Sequence, residues 1–155
     1  MRNKQKGFSL IELLIVVAII LIIAAIAIPN LLRSKIAANQ ASAVGSLRTL
    51  NTACIAFSTS YGTFPAALTN LGPVGSGGTA SSSSADLIDS VLAGGTKSGY
   101  VFTFTAGASN QSYSITATPI TAATTGQNMY YTDQSGVIRV DTSGSGAGAS
   151  STPIG

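Results

Sequence analysis

The chain has 155 residues, of which 45 % are hydrophobic and only 8 % are charged, and its formal net charge is +3. The basic residues that precede residue 8 account for this net charge, because the five basic and five acidic residues after them cancel. Nucleic-acid binding is therefore not supported, since phosphate affinity scales with the number of Lys and Arg contacts. The sequence contains no histidine, which removes the commonest acid–base catalyst and metal ligand. We accordingly expect no enzymatic activity, no catalytic residue and no cofactor.

A long apolar stretch from Phe8 to Ile28 follows a leader that contains Arg2, Lys4 and Lys6. At about 1.5 Å per residue a helix of this length spans the ~30 Å hydrocarbon core of a bilayer. Basic residues are retained on the cytoplasmic side of such a span, so the amino terminus is expected inside and the rest of the chain outside. The sequence therefore predicts a single transmembrane helix over residues 8–28.

Glu12 is the only charged residue within this apolar stretch. A carboxylate inside a membrane helix costs on the order of 2.5 to 3.5 kcal/mol on insertion scales unless a cation partners it. The nearest cation would be a free α-amino group at Phe8, which exists only if the chain is cut between Gly7 and Phe8. The position of Glu12 thus indicates proteolytic processing.

Residues 7–20, GFSLIELLIVVAII, and residues 24–29, AAIAIP, resemble the class III leader and first helix of type IV pilins and of type II secretion pseudopilins. In that family a membrane-embedded prepilin peptidase cuts after the glycine and N-methylates the new first residue. The resemblance implies cleavage after Gly7, methylation of Phe8, and a role for Glu12 in neutralising the amino terminus of a neighbouring subunit. Pro29 falls within the same assembly helix. Leu21 stands where many members have a helix-weakening glycine.

Other interpretations of this segment remain open. A secretory signal peptide would also have basic residues, an apolar core and a small-x-small site such as Ala25–Ala27, but its core is shorter and would not contain Glu12. A membrane-anchored protein that forms no filament, an anchored enzyme among them, would carry a similar span. Within the resembling family, a pseudopilin of a type II secretion system is the main alternative to a pilin.

After Pro29, where a kink is expected, the helical pattern becomes amphipathic and continues to residue 62. Its apolar residues recur mainly at steps of three and four, and its polar residues mostly fall elsewhere. Gly62 and Pro65 are typical helix-stop residues. The single cysteine, Cys54, belongs to the apolar face and is interpreted as a buried apolar residue. The expected stripe comprises Leu32, Ile36, Ala43, Leu47, Leu50, Cys54, Phe57 and Tyr61.

The remaining sequence predicts an α+β head of the type IV pilin kind, in which the long helix packs on a small antiparallel sheet of about four strands. Residues 73–84 are predicted to form a flexible loop, and Ala85–Leu92 a short helix with Ser84 as its N-cap and Asp86 in its first turn. Alternating apolar residues predict strands, and the turn composition of residues 133–136 predicts a hairpin between the last two. The predicted strands are Tyr100–Ala106, Ser112–Thr118, Met129–Thr132 and Gly136–Val140.

The predicted organisation is a leader (1–7), a membrane and polymerisation segment (8–28), an amphipathic helical segment (29–62), a globular head (63–142) and a Gly/Ser-rich tail (143–155), which composition predicts to be disordered. We expect the precursor in the inner membrane and the mature chain in a surface filament that serves motility, adhesion or DNA uptake. The expected partners are further copies of the chain, the prepilin peptidase, the assembly machinery and the membrane.

Asp133 and Asp141 are weak candidates for a calcium site. Calcium takes six to eight oxygen ligands, so two carboxylates would need many backbone carbonyls to complete the shell. Turn formation is the better interpretation of Asp133.

Overall fold

A computed structural model describes residues 7–154. The leader residues Arg2, Lys4 and Lys6 lie outside this range. The chain divides into two compact units between Lys35 and Ile36. Helix α1 runs from Leu10 to Tyr61, and Pro29 lies inside it.

The described part of the first unit consists of residues 7–35 and is formed by α1 after three preceding residues. Within residues 7–154, α1 is the one helix whose length and composition would allow it to cross a membrane, and its most apolar window has no buried residue. The large apolar side chains from Phe8 to Leu31 are exposed.

The second unit contains an antiparallel sheet whose six strands are adjacent in chain order. The strands are β1 (Thr96–Lys97), β2 (Tyr100–Ala106), β3 (Tyr113–Pro119), β4 (Met129–Asp133), β5 (Arg139–Asp141) and β6 (Thr152–Pro153). Helix α2 (Ser90–Ala93) and a 3₁₀ turn (Leu68–Leu71) precede the sheet, and a second 3₁₀ turn (Ala108–Asn110) joins β2 to β3. The α+β prediction is confirmed, but the sheet has six strands rather than about four.

The core of this unit lies between α1 and the sheet. Residues of α1 from Ala43 to Phe57 form one buried cluster with residues of β2, β3 and β4. The predicted apolar stripe is buried at six of its eight positions, whereas Leu32 and Tyr61 are exposed. Ser46, expected on the polar side, is buried. The buried sheet residues alternate along the strands as predicted, and they include Tyr100, Phe102, Tyr113, Ile115, Ala117 and Tyr130.

The end of α1 is where the sequence predicts it. Gly62 has a φ of 78°, in the left-handed region that glycine adopts without steric cost, and its amide donates to the carbonyl of Ser58 at 2.8 Å. Cys54 is fully buried, and burial raises the pKa of its thiol to about 12. The interpretation of this residue as a buried apolar side chain is confirmed.

The predicted helix Ala85–Leu92 is wrong. Its first residues instead hydrogen-bond to the 3₁₀ turn, since the amide of Ala85 donates to the carbonyl of Asn70 at 2.8 Å and the amide of Leu87 to that of Leu71 at 2.9 Å. Asp86, with a φ of 56°, is not helical. Helix α2 therefore begins at Ser90, and Asp89 rather than Ser84 is its N-cap, accepting from the amide of Leu92 at 2.8 Å.

The carboxyl-terminal part of the chain also differs from the prediction. The last predicted strand, Gly136–Val140, begins later, because Gly136 has a φ of 74° and closes the turn after β4. The tail was expected to be disordered, yet it contributes β6, which pairs with β5. The amide of Ile154 donates to the carbonyl of Ile138 at 2.8 Å, and the Ile154 side chain packs against the core. This single apolar side chain anchors an otherwise Gly/Ser-rich segment.

Candidate processing and assembly site

The start of α1 is closed by two side-chain hydrogen bonds, one accepted by Glu12 and one by Ser9. The Glu12 carboxylate accepts from the backbone amide of Ser9 at 2.9 Å, and the Ser9 hydroxyl accepts from the amide of Ile11 at 3.3 Å. The arrangement is a variant of the capping box in which the hydroxyl accepts from the amide two residues on rather than three, and it satisfies backbone amides that the first helical turn leaves without partners. The carboxylate also lies at the positive end of the helix dipole.

The sequence analysis leaves Glu12 without a partner in the uncut chain, whereas the structure gives it a local one. The signal was present as Ser9-x-x-Glu12, a known helix-start pattern. The length of the surrounding apolar segment instead favoured the interpretation that Glu12 neutralises an amino group. Glu12 therefore has a structural role before any cleavage takes place.

The Gly7–Phe8 bond lies outside α1, which begins at Leu10. Phe8 is 79 % exposed, and a Cβ added at Gly7 would meet no atom within 4 Å. The fold itself therefore does not require glycine at this position. A requirement for glycine would have to come from a molecule that acts on this bond.

The first turns of α1 present a continuous apolar surface. A shallow groove of about 370 Å³ runs along one side of them and contains no charged side chain. Leu21 lies in this groove. It stands where many members of the family that the sequence resembles have a helix-weakening glycine. The lining residues of the groove are Leu10, Leu13, Leu14, Val17, Ala18 and Leu21.

The apolar part of α1 is interrupted at Pro29 and Asn30. Proline has no amide hydrogen, so the helical hydrogen bond to the carbonyl four residues earlier is missing. The Asn30 carboxamide donates to the carbonyl of Ile26 at 3.0 Å. The Asn30 side chain thus supplies an extra hydrogen-bond donor next to Pro29, where the helix lacks a backbone donor.

Asp133 and Asp141 each make a local turn. Asp133 accepts from the amide and hydroxyl of Ser135, and these bonds lower the pKa of its carboxyl despite the opposing effect of partial burial. Asp141 accepts from the hydroxyl and amide of Ser143, which lower the pKa of its carboxyl, and from the amide of Gly146. Over residues 7–154, no three His, Cys, Asp or Glu side chains lie where they could hold a metal ion.

A buried polar network, which the sequence analysis did not identify, joins α1 to the sheet. The Asn51 carboxamide nitrogen donates to the Thr132 hydroxyl at 2.8 Å and to the carbonyl of Gly136 at 3.3 Å. The Tyr113 hydroxyl donates to the Asn51 carboxamide oxygen at 3.1 Å. The signal available in the sequence was Asn51, a polar residue on the apolar side of an amphipathic helix.

Comparison with known proteins bears on the same amino-terminal segment. The model of the prokaryotic N-terminal methylation motif matches residues 2–28. The type IV major pilin protein PilA of Myxococcus xanthus is 52 % identical over 50 residues, which are 32 % of this chain and 23 % of that protein. The type IV major fimbrial protein FimA of Dichelobacter nodosus is 52 % identical over 59 residues, 36 % of this chain and 37 % of that protein.

The type IV wide pilus major component PilA4 of Thermus thermophilus is 65 % identical over 40 residues, 26 % of this chain and 30 % of that protein. The chain thus spans between about a quarter and two-fifths of the length of these relatives. No solved structure matches the chain.

The cap at Glu12 and the exposed bond before it lie within the matched motif, and this amino-terminal region is similar to that of type IV pilins, in agreement with the resemblance found in the sequence. The three relatives named above carry the names of major pilin or fimbrial proteins.

Proposed function

We propose that this chain is the precursor of a type IV pilin, a structural subunit of a helical surface filament and not an enzyme. One observation carries the proposal: a carboxylate, Glu12, sits at the start of an exposed apolar helix, one turn from an exposed Gly7–Phe8 bond. Cutting that bond creates a cation at Phe8. The charge that disfavours Glu12 in an apolar environment then has a matching partner.

The proposed sequence of events has three stages. The precursor is first held in the inner membrane by residues 8–28, with the leader on the cytoplasmic side and the head outside. The prepilin peptidase then cuts after Gly7 and methylates Phe8. The assembly machinery finally extracts the chain into a fibre, where the apolar helices of neighbouring copies pack together.

The fibre is held together mainly by apolar burial, which contributes about 25 cal/mol per Å². Glu12 of one copy pairs with the amino group of Phe8 in an adjacent copy. This pair chiefly fixes the register between subunits, because a buried ion pair is weak evidence of net stabilisation. The proposed units of the chain are the leader, the polymerisation segment, the amphipathic helix up to residue 62, the head and the tail that follows residue 142.

The first experiment is intact mass measurement and amino-terminal sequencing of protein sheared from cell surfaces. A chain that begins at methylated Phe8, recovered from abundant fibres, is the expected result. A start after Ala27 would identify a secreted protein instead. Correct processing without surface fibres, together with lost exoenzyme secretion on deletion, would identify a pseudopilin.

The Glu12→Val variant tests the role of the carboxylate. It is expected to insert and to be cut, yet to assemble poorly. Normal amounts of surface fibre from this variant would refute the register role.

A further inference from the structure

A cleft lies in the second unit where the end of α1 meets the loop that follows it and the turn between β2 and β3. Its volume is about 430 Å³, within the range of roughly 300 to 1,000 Å³ typical of small-molecule sites. We call it the aromatic cleft. Its lining includes Phe57, Tyr61, Thr63, Phe64, Asn70, Ser82 and Asn110.

Aromatic rings form the apolar part of the cleft. Phe57 is buried beneath it, and its ring centroid lies 4.6 Å from that of Tyr61, which is 36 % exposed. Phe64 is half-buried and packs edge-on against Tyr113 at 4.9 Å. Tyr61 and Phe64 are thus each held in place by a buried neighbour, and their accessible faces are rigid and apolar, so binding to them costs little entropy.

Neutral hydrogen-bonding groups surround these rings. The Asn70 carboxamide oxygen is occupied by the amide of Ala67 at 2.9 Å, which leaves its nitrogen as a donor. The Asn110 carboxamide makes no hydrogen bond within residues 7–154, although the backbone carbonyl of Asn110 accepts from the amide of Phe64 at 2.9 Å. Hydroxyls of Thr63 and Ser82 complete the set, so donors and acceptors are both present.

Among residues 7–154, no Asp, Glu, Lys or Arg lines the cleft. A charged ligand would lose its hydration without gaining a counter-charge, and this is costly. The site therefore favours an uncharged ligand that has both apolar faces and many hydroxyl groups. A sugar ring fits this description, because its C–H groups stack on aromatic faces while its hydroxyls bond to amides.

Asn110 is presented to the cleft by an unusual backbone. Ser109 and Asn110 have φ values of 52° and 54°, in the left-handed region that non-glycine residues seldom adopt. Asparagine tolerates this conformation better than most residues. The turn thus sets the backbone from which the Asn110 carboxamide extends, and this carboxamide has no hydrogen-bond partner within the described chain.

We propose that the aromatic cleft binds a neutral saccharide. This inference does not depend on filament assembly, because all of the residues involved belong to the second unit of a single chain. Binding by the unassembled chain is therefore measurable whether or not the chain forms a fibre.

The test is ¹H–¹⁵N NMR of the full chain in dodecylphosphocholine micelles, titrated separately with lactose, cellobiose, N,N′-diacetylchitobiose and 3′-sialyllactose. Alkyl glycoside detergents are avoided because their head groups are themselves neutral sugars. The expected result is saturable shifts of the Asn70 and Asn110 side-chain amides with at least one neutral sugar. 3′-Sialyllactose, which carries a carboxylate, is expected to bind no more tightly than lactose.

Asn110→Gly removes the carboxamide and keeps the left-handed backbone unstrained, and it is expected to raise Kd at least about tenfold. Ser109→Gly is the matched control in the same turn, outside the cleft, and should leave Kd unchanged. Tyr61→Ala is expected to abolish binding, with Thr59→Ala as its control on the same helix. Absence of saturable shifts with all four sugars, or binding that survives in Asn110→Gly and Tyr61→Ala, would overturn the proposal.

Discussion

The carboxylate of Glu12 and the backbone amide of Ser9 are hydrogen-bonded at 2.9 Å within a single turn of chain. The uncut chain thus satisfies this carboxylate locally, without an amino terminus at Phe8. If the fibre pairs Glu12 with Phe8 of a neighbour, that pairing competes with an existing hydrogen bond. The free energy gained when Glu12 pairs with Phe8 is then smaller than it would be for a carboxylate that had no partner beforehand. This favours a role of the pair in setting the register between subunits over a role in holding the fibre together.

Glu12→Gln separates the two roles of this side chain. Glutamine accepts hydrogen bonds and is itself a capping-box residue, so α1 is expected to keep its start. It carries no charge, and removing one partner of a buried ion pair costs about 3 to 5 kcal/mol. We expect normal protection of the Ser9 amide in hydrogen exchange of the micellar chain, with much less filament in the sheared surface fraction.

Glu12→Val serves as the comparison, because it loses both the cap and the charge. If Glu12→Gln assembles as well as the unmodified chain while Glu12→Val does not, the cap rather than the charge is what assembly requires.

Asn51→Ala is expected to destabilise the second unit by about 1 to 3 kcal/mol, since it leaves the buried hydroxyls of Thr132 and Tyr113 without this partner. Thr132→Val should cost less, because Asn51 keeps its bond to the carbonyl of Gly136. Denaturant unfolding followed by circular dichroism measures both. Thr52→Ala, at the adjacent exposed position, is the control, and equal losses for Thr52→Ala and Asn51→Ala would disprove a stabilising network.

Gly126→Ala is expected to destabilise the same unit by about 1 to 3 kcal/mol through overpacking. A Cβ at Gly126 would overlap the ring and hydroxyl of Tyr100, which is itself fully buried. Gly148→Ala is the matched control, because a Cβ there meets nothing within 4 Å. Thermal unfolding of the two variants should differ clearly, and equal melting temperatures would show that Tyr100 can move aside without cost.

Alkaline pH is expected to destabilise the fold through Tyr100. Burial, with a smaller effect of the neighbouring Tyr130, raises the pKa of its phenol to about 12, whereas an unfolded tyrosine titrates near about 10. In this window the unfolded chain binds fewer protons than the folded one, so stability is fully present below pH of about 10 and falls as pH rises towards 12.

Unfolding free energies measured from pH 9 to 12 test this expectation. Tyr100→Phe should be less stable at pH 9, because it loses the hydrogen bond to the carbonyl of Asn128, but its stability should fall less steeply above pH 10. Parallel curves for the two proteins would rule out Tyr100 as a source of the pH dependence.

The sequence predicted the elements whose periodicity reflects burial. Leu47, Leu50 and Cys54 recur with helical spacing and are buried, and the alternation in β2 and β3 matches their inward faces. Burial of Ser46 and Asn51 was not predicted, because a polar residue gives no hydrophobic signal and the partners of Asn51, Thr132 and Tyr113, lie on strands far along the chain.

Elements that depend on distant partners were also missed. Strands β1 and β6 have two residues each, and only their pairing with β2 and β5 defines them. At the candidate site, the resemblance suggested roles for Gly7, Phe8 and Glu12, which stay predictions, and it did not suggest the hydrogen bonds of Ser9, which depend on side-chain geometry.

The two shortest strands of the sheet, β1 and β6, are also its two borders. A border strand with many free amides and carbonyls is a template on which another chain can add as a further strand, and two residues offer little of such a template. Sideways growth through backbone pairing, the route that leads to amyloid, is thereby disfavoured at both borders of this sheet. In the proposed filament, association would then depend on side chains of α1 rather than on the edges of the sheet.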